Sequence, residues 1–246
     1  MKFTVNGFWG GYPGAGEATS SYLVEKDGFT LMIDCGSGAL SRLQERKSIM
    51  DLDAVLITHY HFDHVADIGP LQYAHKVQNA IGGTEKVLPI YGHQEDEAGF
   101  DSLTHDYTEG ISYDPSSELR VGPFTVTFMK TNHPVPCYAT RITDGESVIV
   151  FTADSSYKDS FIPFSEGADL LVTDCNFYKG MDGSKPGHMT SEEVGHIANQ
   201  AQVGELWISH LPHFGEVSQL KTEASEQFSG EVKVAYEGLQ WMSRSK

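Results

Sequence analysis

The stretch from Ala54 to Ala66 constrains the fold and chemistry of this chain more than any other feature. It begins with the apolar run Ala-Val-Leu-Ile, which is typical of a short strand buried on both faces. Four potential metal ligands follow within six positions: His59, His61, Asp63 and His64. Imidazole nitrogens and carboxylates are ligands for zinc and manganese, and side chains two positions apart on extended backbone point the same way. The pattern therefore predicts a metal site at the end of this strand, with a His-rich surface loop as the alternative.

Three more potential ligands each follow a predicted strand, namely His133, Asp154 and His210. An α/β protein places its chemistry beyond the ends of its strands. With the four residues of the first cluster they make seven side chains, the number that a bridged dinuclear centre uses. Each of the three, taken singly, also fits a lone buried or surface polar group, so the prediction depends on all the strand ends together.

The composition fits a single globular domain, which we predict over residues 1–246. Of the 246 residues, 39% are hydrophobic, which is enough for a substantial core without disulfides. The three cysteines, Cys35, Cys137 and Cys175, are far apart and form no CxxC pair, which favours reduced thiols. The first residues lack the pattern of a signal peptide, and no apolar run is long enough to cross a bilayer. We therefore expect a cytoplasmic protein that does not enter membranes.

The net charge of −17 bears on the partners of the chain. Nucleic-acid affinity comes largely from cationic contacts with phosphates, so we expect no binding of tRNA or duplex. A small anionic substrate remains compatible, because bound divalent ions would offset the charge locally. The alternative is that the charge serves solubility alone.

Several local features have two interpretations. The glycine-rich segment 7–16 can bring backbone amides to an anion, or it is a turn between two strands, which we favour. Asp34 ends a strand and could brace a metal-bound His or cap the helix predicted from Ala39 to Lys47. We also predict a helix over 67–78 that is interrupted near Gly69-Pro70, a strand over 121–129, and a helix from a Thr190/Glu193 capping box to about Gln202.

His59-x-His61-x-Asp63-His64 resembles the HxHxDH motif of the metallo-β-lactamase superfamily. The resemblance implies an αββα four-layer sandwich, in which two mixed sheets have helices outside; periodicity alone supports only a mixed α/β fold. It also implies two divalent ions, for which we favour Zn²⁺, with Mn²⁺ or iron as alternatives. By this resemblance His59, His61 and His133 hold one ion, Asp63, His64 and His210 hold the other, and Asp154 bridges them.

Within the superfamily the chain is similar to the RNase Z-like phosphodiesterase branch. Thr152-Ala153-Asp154-Ser155 resembles its GDT-type motif, and His188-Met189-Thr190 resembles its HxT motif. The resemblance implies a metal-bridging hydroxide that attacks phosphorus while His188 donates a proton to the leaving group. Asp63 and His188 are therefore our candidate catalytic residues. A helix-capping role is the alternative for His188.

Two departures from that branch narrow the prediction. The interval from His133 to Asp154 has room only for a short hairpin, so the long tRNA-gripping arm is missing, and the acidic residue that supports the catalytic His has no clear match. We therefore predict a hydrolase of small phosphodiesters or cyclic phosphates. The alternatives are hydrolysis of lactone, thioester or amide bonds, or metal-dependent binding without turnover. A homodimer and the roles of His213 and the Gly10–Gly16 loop remain open.

Overall fold

The computed structural model describes residues 1–243, which form two compact units. One unit contains Met1–Asp114, Val121–Pro123 and Glu237–Met242, and the other contains Pro115–Arg120 and Phe124–Tyr236. The single domain that we predicted over residues 1–246 includes 244–246, which lie outside the described residues, and it stays a prediction. Along the described chain, no helix is long and apolar enough to cross a membrane.

The first unit is built on a mixed seven-stranded sheet in the order β14-β1-β2-β3-β4-β5-β6. Its strands are β1 (Lys2–Gly7), β2 (Ser21–Lys26), β3 (Phe29–Ile33), β4 (Ala54–Leu56), β5 (Leu88–Gly92), β6 (Thr108–Ser112) and β14 (Gln240–Met242). Strands β3 to β6 run parallel, and β14, β1, β2 and β3 pair antiparallel. Strands β2 and β3 form a hairpin, and its turn has two residues with positive φ, Asp27 at 52° and Gly28 at 83°.

The helices of the first unit are α1 (Ala39–Gln44), α2 (Phe62–Val65), α3 (Ile68–Gly82) and α4 (Glu97–Asp101), with a 3₁₀ turn at Ile49–Asp51. An apolar core that includes Met32, Leu43, Val55, Leu71 and Ile90 packs between the sheet and these helices. We predicted that helix α3 would be interrupted near Gly69-Pro70, and this is wrong, because the helix is continuous over Ile68–Gly82. Pro70 lies in the first turn, where a backbone N–H has no partner within the helix and its loss is tolerated.

The second unit contains a second mixed seven-stranded sheet, in the order β13-β12-β11-β10-β9-β8-β7. Its strands are β7 (Leu119–Val121), β8 (Phe124–Lys130), β9 (Tyr138–Thr143), β10 (Val148–Phe151), β11 (Leu170–Asp174), β12 (Glu205–Ser209) and β13 (Glu231–Val234). Strands β10 to β13 are parallel neighbours, and β8, β9 and β10 pair antiparallel. The strand that we predicted over 121–129 is wrong as one element, because the chain turns at Gly122 with a φ of 54°.

The helices of the second unit are α5 (Phe161–Ser165), α6 (Ser191–Gln200) and α7 (Val217–Gln227). The predicted capping box is confirmed: the Thr190 side chain accepts from the backbone N–H of Glu193, and the Glu193 carboxylate accepts from the backbone N–H of Thr190. Helix α6 packs closely on α7, since a Cβ on Gly195 would lie 2.5 Å from the carbonyl oxygen of Ala224. Two mixed sheets with helices confirm the predicted α/β class.

Candidate metal centre

The predicted ligand cluster of the first unit lies directly beyond β4. His59 and His64 are fully buried, Asp63 is nearly so, and α2 begins immediately after His61. The Nε2 atom of His59 is 3.2 Å from Nδ1 of His61, and the two rings meet edge to face with 4.8 Å between centroids. The strand, turn and helix therefore bring together the four residues that the motif singled out.

Asp34 braces this cluster from the end of the neighbouring strand β3. Its Oδ2 atom lies 2.7 Å from Nδ1 of His64, and Oδ1 accepts from the backbone N–H of Thr58 at 2.8 Å. Burial raises the pKa of Asp34, and the adjacent His64 and Thr58 oppose that rise. Of our two interpretations, the structure shows the contact with His64 that bracing requires, and capping is wrong, because α1 has no side-chain cap. A carboxylate on Nδ1 is typical of a metal-binding His, whose Nε2 it leaves for the ion.

The glycine-rich loop holds the carboxylate of Asp63. The backbone N–H of Gly11, whose φ is 75°, donates to Oδ2 of Asp63 at 2.7 Å. A bond of 2.6 Å from Trp9 Nε1 to Glu17 Oε2 closes the loop on itself. We favoured a turn over an anion-binding loop for this segment. Within this unit the loop does bind an anion, which is the carboxylate of the candidate ligand Asp63.

In the second unit, three parallel strands end side by side. Asp154 follows β10, Asp174 ends β11 and His210 follows β12, and all three side chains are buried. The Nε2 atom of His210 lies 3.3 Å from Oδ2 of Asp154, and Nε2 of His133 lies 3.9 Å from the same oxygen. The strand ends thus bring His133, Asp154 and His210 together, as the sequence predicted for these three.

Asp174 is a candidate functional residue that the sequence did not single out. Its Oδ2 atom is 2.8 Å from Nδ1 of His188, and its Oδ1 atom is 3.3 Å from Nδ1 of His210. Burial disfavours the charged imidazole of His188, but the carboxylates of Asp174 and Asp154 outweigh it and raise the pKa of His188. Our inference that the supporting acid has no match is therefore wrong. The available signal was its position at the end of a predicted apolar strand.

Four imidazoles of the two clusters share one arrangement. Each of His64, His133, His188 and His210 has an oxygen acceptor beside Nδ1: Asp34, the carbonyl of Gly187, and Asp174 for the last two. This arrangement leaves Nε2 as the coordinating atom, as in known metal sites. In the second unit, ligand-type atoms of Asp154, Asp174, His188 and His210 lie within 4.8 Å of one another. The donor set and its burial therefore fit divalent metal ions.

Backbone strain also concentrates at these strand ends. Asp34, Ala153 and His210 have φ values of 54°, 51° and 51°, which L-residues adopt at a cost of roughly 1–3 kcal/mol. Each stands in, or next to, one of the two clusters. Strain of this kind persists where the surrounding structure fixes a functional side chain.

The division of the seven ligands between two ions, the bridging role of Asp154 and the catalytic role of Asp63 remain predictions. His213 lies in an exposed loop after His210, and its contact with a phosphate also stays a prediction. The alternative for His188, helix capping, receives no support, because Thr190 caps α6.

The chain matches a family model described as "Metallo-beta-lactamase superfamily" over residues 14–198. It is 54% identical over 242 residues to "Probable metallo-hydrolase YhfI" of Bacillus subtilis (strain 168), covering 98% of this chain and 99% of the relative. The crystal structure of the metallo-β-lactamase fold protein YhfI superposes with a TM-score of 0.96, covering 98% of each chain.

Two more distant relatives widen the comparison. Ribonuclease Z of Methanopyrus kandleri is 28% identical over 277 residues, covering 97% of this chain and 96% of the relative. The crystal structure of a new diphosphatase from the PhnP family has a TM-score of 0.77 at 19% identity, covering 99% of this chain and 98% of that one. The second likeness shows the fold alone.

Proposed function

The chain belongs to the metallo-β-lactamase superfamily, and we propose that it is a phosphodiesterase acting on small phosphodiesters or cyclic phosphates. The family membership and the His/Asp clusters support a metal-dependent hydrolase. The substrate class goes further and depends on the residues of the second unit.

The pairing of Asp174 with His188 is the observation that supports this proposal. Phosphodiester hydrolysis expels an alkoxide, which is a poor leaving group unless an acid protonates it. An imidazole whose Nδ1 faces a buried carboxylate at 2.8 Å is held in one orientation and favoured in its charged form. Its Nε2 can then carry the proton that the leaving oxygen needs.

The proposed reaction conserves atoms and charge. A water oxygen forms a bond to phosphorus, and the bond from phosphorus to the leaving oxygen breaks with its electron pair on that oxygen. Nε2 of His188 gives its proton to the leaving oxygen, and the proton lost by the water returns the imidazole to its charged form. The products are a phosphomonoester and an alcohol.

The proposed metal ligands are the seven side chains that the sequence predicted: His59, His61, Asp63, His64, His133, Asp154 and His210. When bound, divalent ions would lower the pKa of water and offset the negative charge of the phosphate. Zn²⁺ suits imidazole and carboxylate donors, and Mn²⁺ or iron share most of them. Asp34 and Asp174 would hold His64 and His210 in place.

A small substrate is supported by what fills the interval between His133 and Asp154. Strands β9 and β10 form a hairpin over Tyr138–Thr143 and Val148–Phe151. The net charge of −17 also disfavours a long polyanion. The ribonuclease Z relative is named for an RNA substrate, but we propose only the shared bond type for this chain.

The decisive experiment compares substrates whose leaving group must be protonated with substrates whose leaving group departs without a proton. Purified protein, loaded with Zn²⁺ or Mn²⁺, is assayed with bis(p-nitrophenyl) phosphate, with alkyl and cyclic phosphodiesters, and with a lactone panel. His188→Ala should lower kcat for the alkyl esters about 100-fold or more and for p-nitrophenyl esters less, because p-nitrophenolate leaves without a proton. EDTA should abolish all of these activities.

His105→Ala is the matched control, because His105 is an exposed imidazole of the first unit without a place in either cluster. Turnover of lactones with no EDTA-sensitive phosphodiester cleavage would overturn the proposal in favour of carbonyl chemistry. Equal losses for both leaving groups in His188→Ala would leave the bond type but remove the proton-donor role. Tight phosphodiester binding without cleavage would indicate a binding protein.

A further inference from the structure

We propose that Phe177 and Phe214 form an aromatic shelf that binds the leaving group of the substrate, and that the preferred leaving group carries an extended aromatic ring. This inference rests on the proposed function, because it uses His188 as the proton donor. All residues of the shelf belong to the second unit.

The shelf continues a row of rings that starts at the candidate ligand His210. The His188 ring stacks on His210 with 5.0 Å between centroids, and Phe177 lies 6.4 Å from His188 at an interplanar angle of 30°. Phe214 meets Phe177 edge to face at 6.1 Å. These separations lie in the range of favourable aromatic pairs. The row therefore leads from the cluster, past the proton donor, to the surface.

Phe177 is fixed against the His188 segment by the backbone. Its N–H donates to the carbonyl of Met189 at 3.2 Å, and its carbonyl accepts from the N–H of Ser191 at 2.9 Å. These two bonds tie the backbone of Phe177 to the segment that directly follows His188. A surface that is rigid before binding loses little entropy when a ligand arrives.

Phe214 is held from its other side by Tyr178. The phenol of Tyr178 donates to the carbonyl oxygen of Phe214 at 2.9 Å, and the two rings meet at 5.7 Å. Gly215, with a φ of 72°, follows, and a Cβ there would lie 2.6 Å from the Tyr178 ring. The loop thus fixes Phe214 while 43% of that residue stays exposed. A ring that is held in place, exposed and packed on Phe177 is suited to contact a ligand that extends past His188.

The position of the shelf identifies the part of the substrate that it contacts. A proton donor must lie within hydrogen-bond reach of the leaving oxygen, so the carbon framework on that oxygen begins next to His188. Phe177 is the next ring along the row, and Phe214 follows it. An aromatic leaving group, such as an aryl alcohol or a nucleoside base near the scissile oxygen, would stack there.

The test compares two leaving groups of similar acidity and different ring area, methyl phenyl phosphate and methyl 2-naphthyl phosphate. Wild-type protein should prefer the naphthyl ester in kcat/KM. Phe214→Leu, which keeps apolar bulk but removes the ring, should lower the naphthyl-to-phenyl ratio about fivefold, while Phe214→Tyr should retain it. Because acidity is matched, the ratio reports ring contact and not proton transfer.

Met181→Ala is the matched control, since Met181 is 48% exposed and carries an apolar side chain but no ring. Its naphthyl-to-phenyl ratio should equal that of the wild type. An unchanged ratio in folded, active Phe214→Leu would overturn the shelf and leave the phosphodiesterase proposal in place. A wild-type protein that cleaves no phosphodiester would overturn the proposed function first, and the shelf with it.

Discussion

The Oδ2 atom of Asp174 contacts Nδ1 of His188 at 2.8 Å and also accepts from the backbone N–H of Ser155 at 3.1 Å. Ser155 follows Asp154, so one carboxylate oxygen ties the candidate proton donor to the strand end that carries a candidate ligand. The other oxygen faces His210. Asp174 is thus placed to set the orientation and charge of His188.

We predict that Asp174→Asn lowers kcat for alkyl phosphodiesters about 100-fold, with a smaller loss for p-nitrophenyl esters. The amide keeps the shape of the side chain but removes the negative charge that favours protonated His188. Steady-state kinetics on both substrate types check this. Asp159→Asn, an exposed Asp that accepts from the phenol of Tyr157, should leave both rates unchanged. A uniform loss for all substrates would instead indicate damage to the candidate ligand His210.

We predict that Asp34→Asn weakens metal binding about 10- to 100-fold. The carboxylate of Asp34 fixes the ring of His64 and the turn at Thr58, so its replacement loosens a candidate ligand without removing one. The measurement is metal content after equilibration with a graded chelator series, followed by elemental analysis. Asp67→Asn is the control, because the Asp67 carboxylate accepts from the backbone N–H of Leu40 at the start of α1 and Asp67 is not a candidate ligand. Equal metal retention by both variants would contradict the prediction.

The positions of the candidate ligands at strand ends could be predicted from sequence because these residues interrupt a strong apolar pattern. An apolar run that is followed at once by His or Asp identifies both the strand and its end, and it did so for His59, Asp154 and His210. Asp174 also follows an apolar run, but a polar residue at the end of a strand is common and does not by itself indicate a function. Its role depends on a contact with His188 that no local spacing encodes.

Two errors in the predicted elements have a similar origin. A proline suggests a helix break, but at Pro70 it falls in the first turn, where it removes no internal hydrogen bond. The alternation over 121–129 suggests one strand, yet a Cβ at Gly122 would lie 2.6 Å from the ring of Phe29, so packing also demands a glycine there. In both cases the effect of the residue depends on its position within the element, which the local sequence pattern did not indicate.

We predict that His75 makes the protein less stable as the pH falls. Burial lowers the pKa of His75, the charge of Lys86 adds to this, and the backbone groups of Ile49 and Lys86 oppose it. The unfolded chain therefore binds a proton at His75 more readily than the folded chain does. The stability contributed by neutral His75 is complete above the ordinary pKa of 6.5 and is lost as the pH falls below it.

The measurement is the free energy of unfolding by denaturant between about pH 8 and about pH 5, for the wild type and His75→Gln. The variant cannot titrate at this position, so its stability should fall less steeply with pH than that of the wild type. His105→Gln, which replaces an exposed imidazole, controls for the loss of one histidine elsewhere in the chain. Parallel slopes for wild type and His75→Gln would show that this side chain is protonated equally in both states.

At the end of α6, we expect a glycine substitution to stabilise the protein at one position and to destabilise it at another position nearby. Val203 N–H bonds to the carbonyl of Ala198 at 3.2 Å and Gln202 N–H to that of Asn199 at 3.3 Å, the pattern of a Schellman motif. Gln202 has a φ of 51° and is exposed, so its side chain adds left-handed strain and no packing. Glycine is the residue that this position favours.

We predict that Gln202→Gly raises the free energy of unfolding by about 0.5–1 kcal/mol, since relief of left-handed strain exceeds the added entropy of the unfolded chain. Gln200→Gly, at the last helical residue, should lower it by about 0.5 kcal/mol, because glycine has poor helix propensity. Urea denaturation at a fixed metal concentration measures both. A loss of stability in both variants would mean that the side chain of Gln202 stabilises the helix end despite its backbone angle.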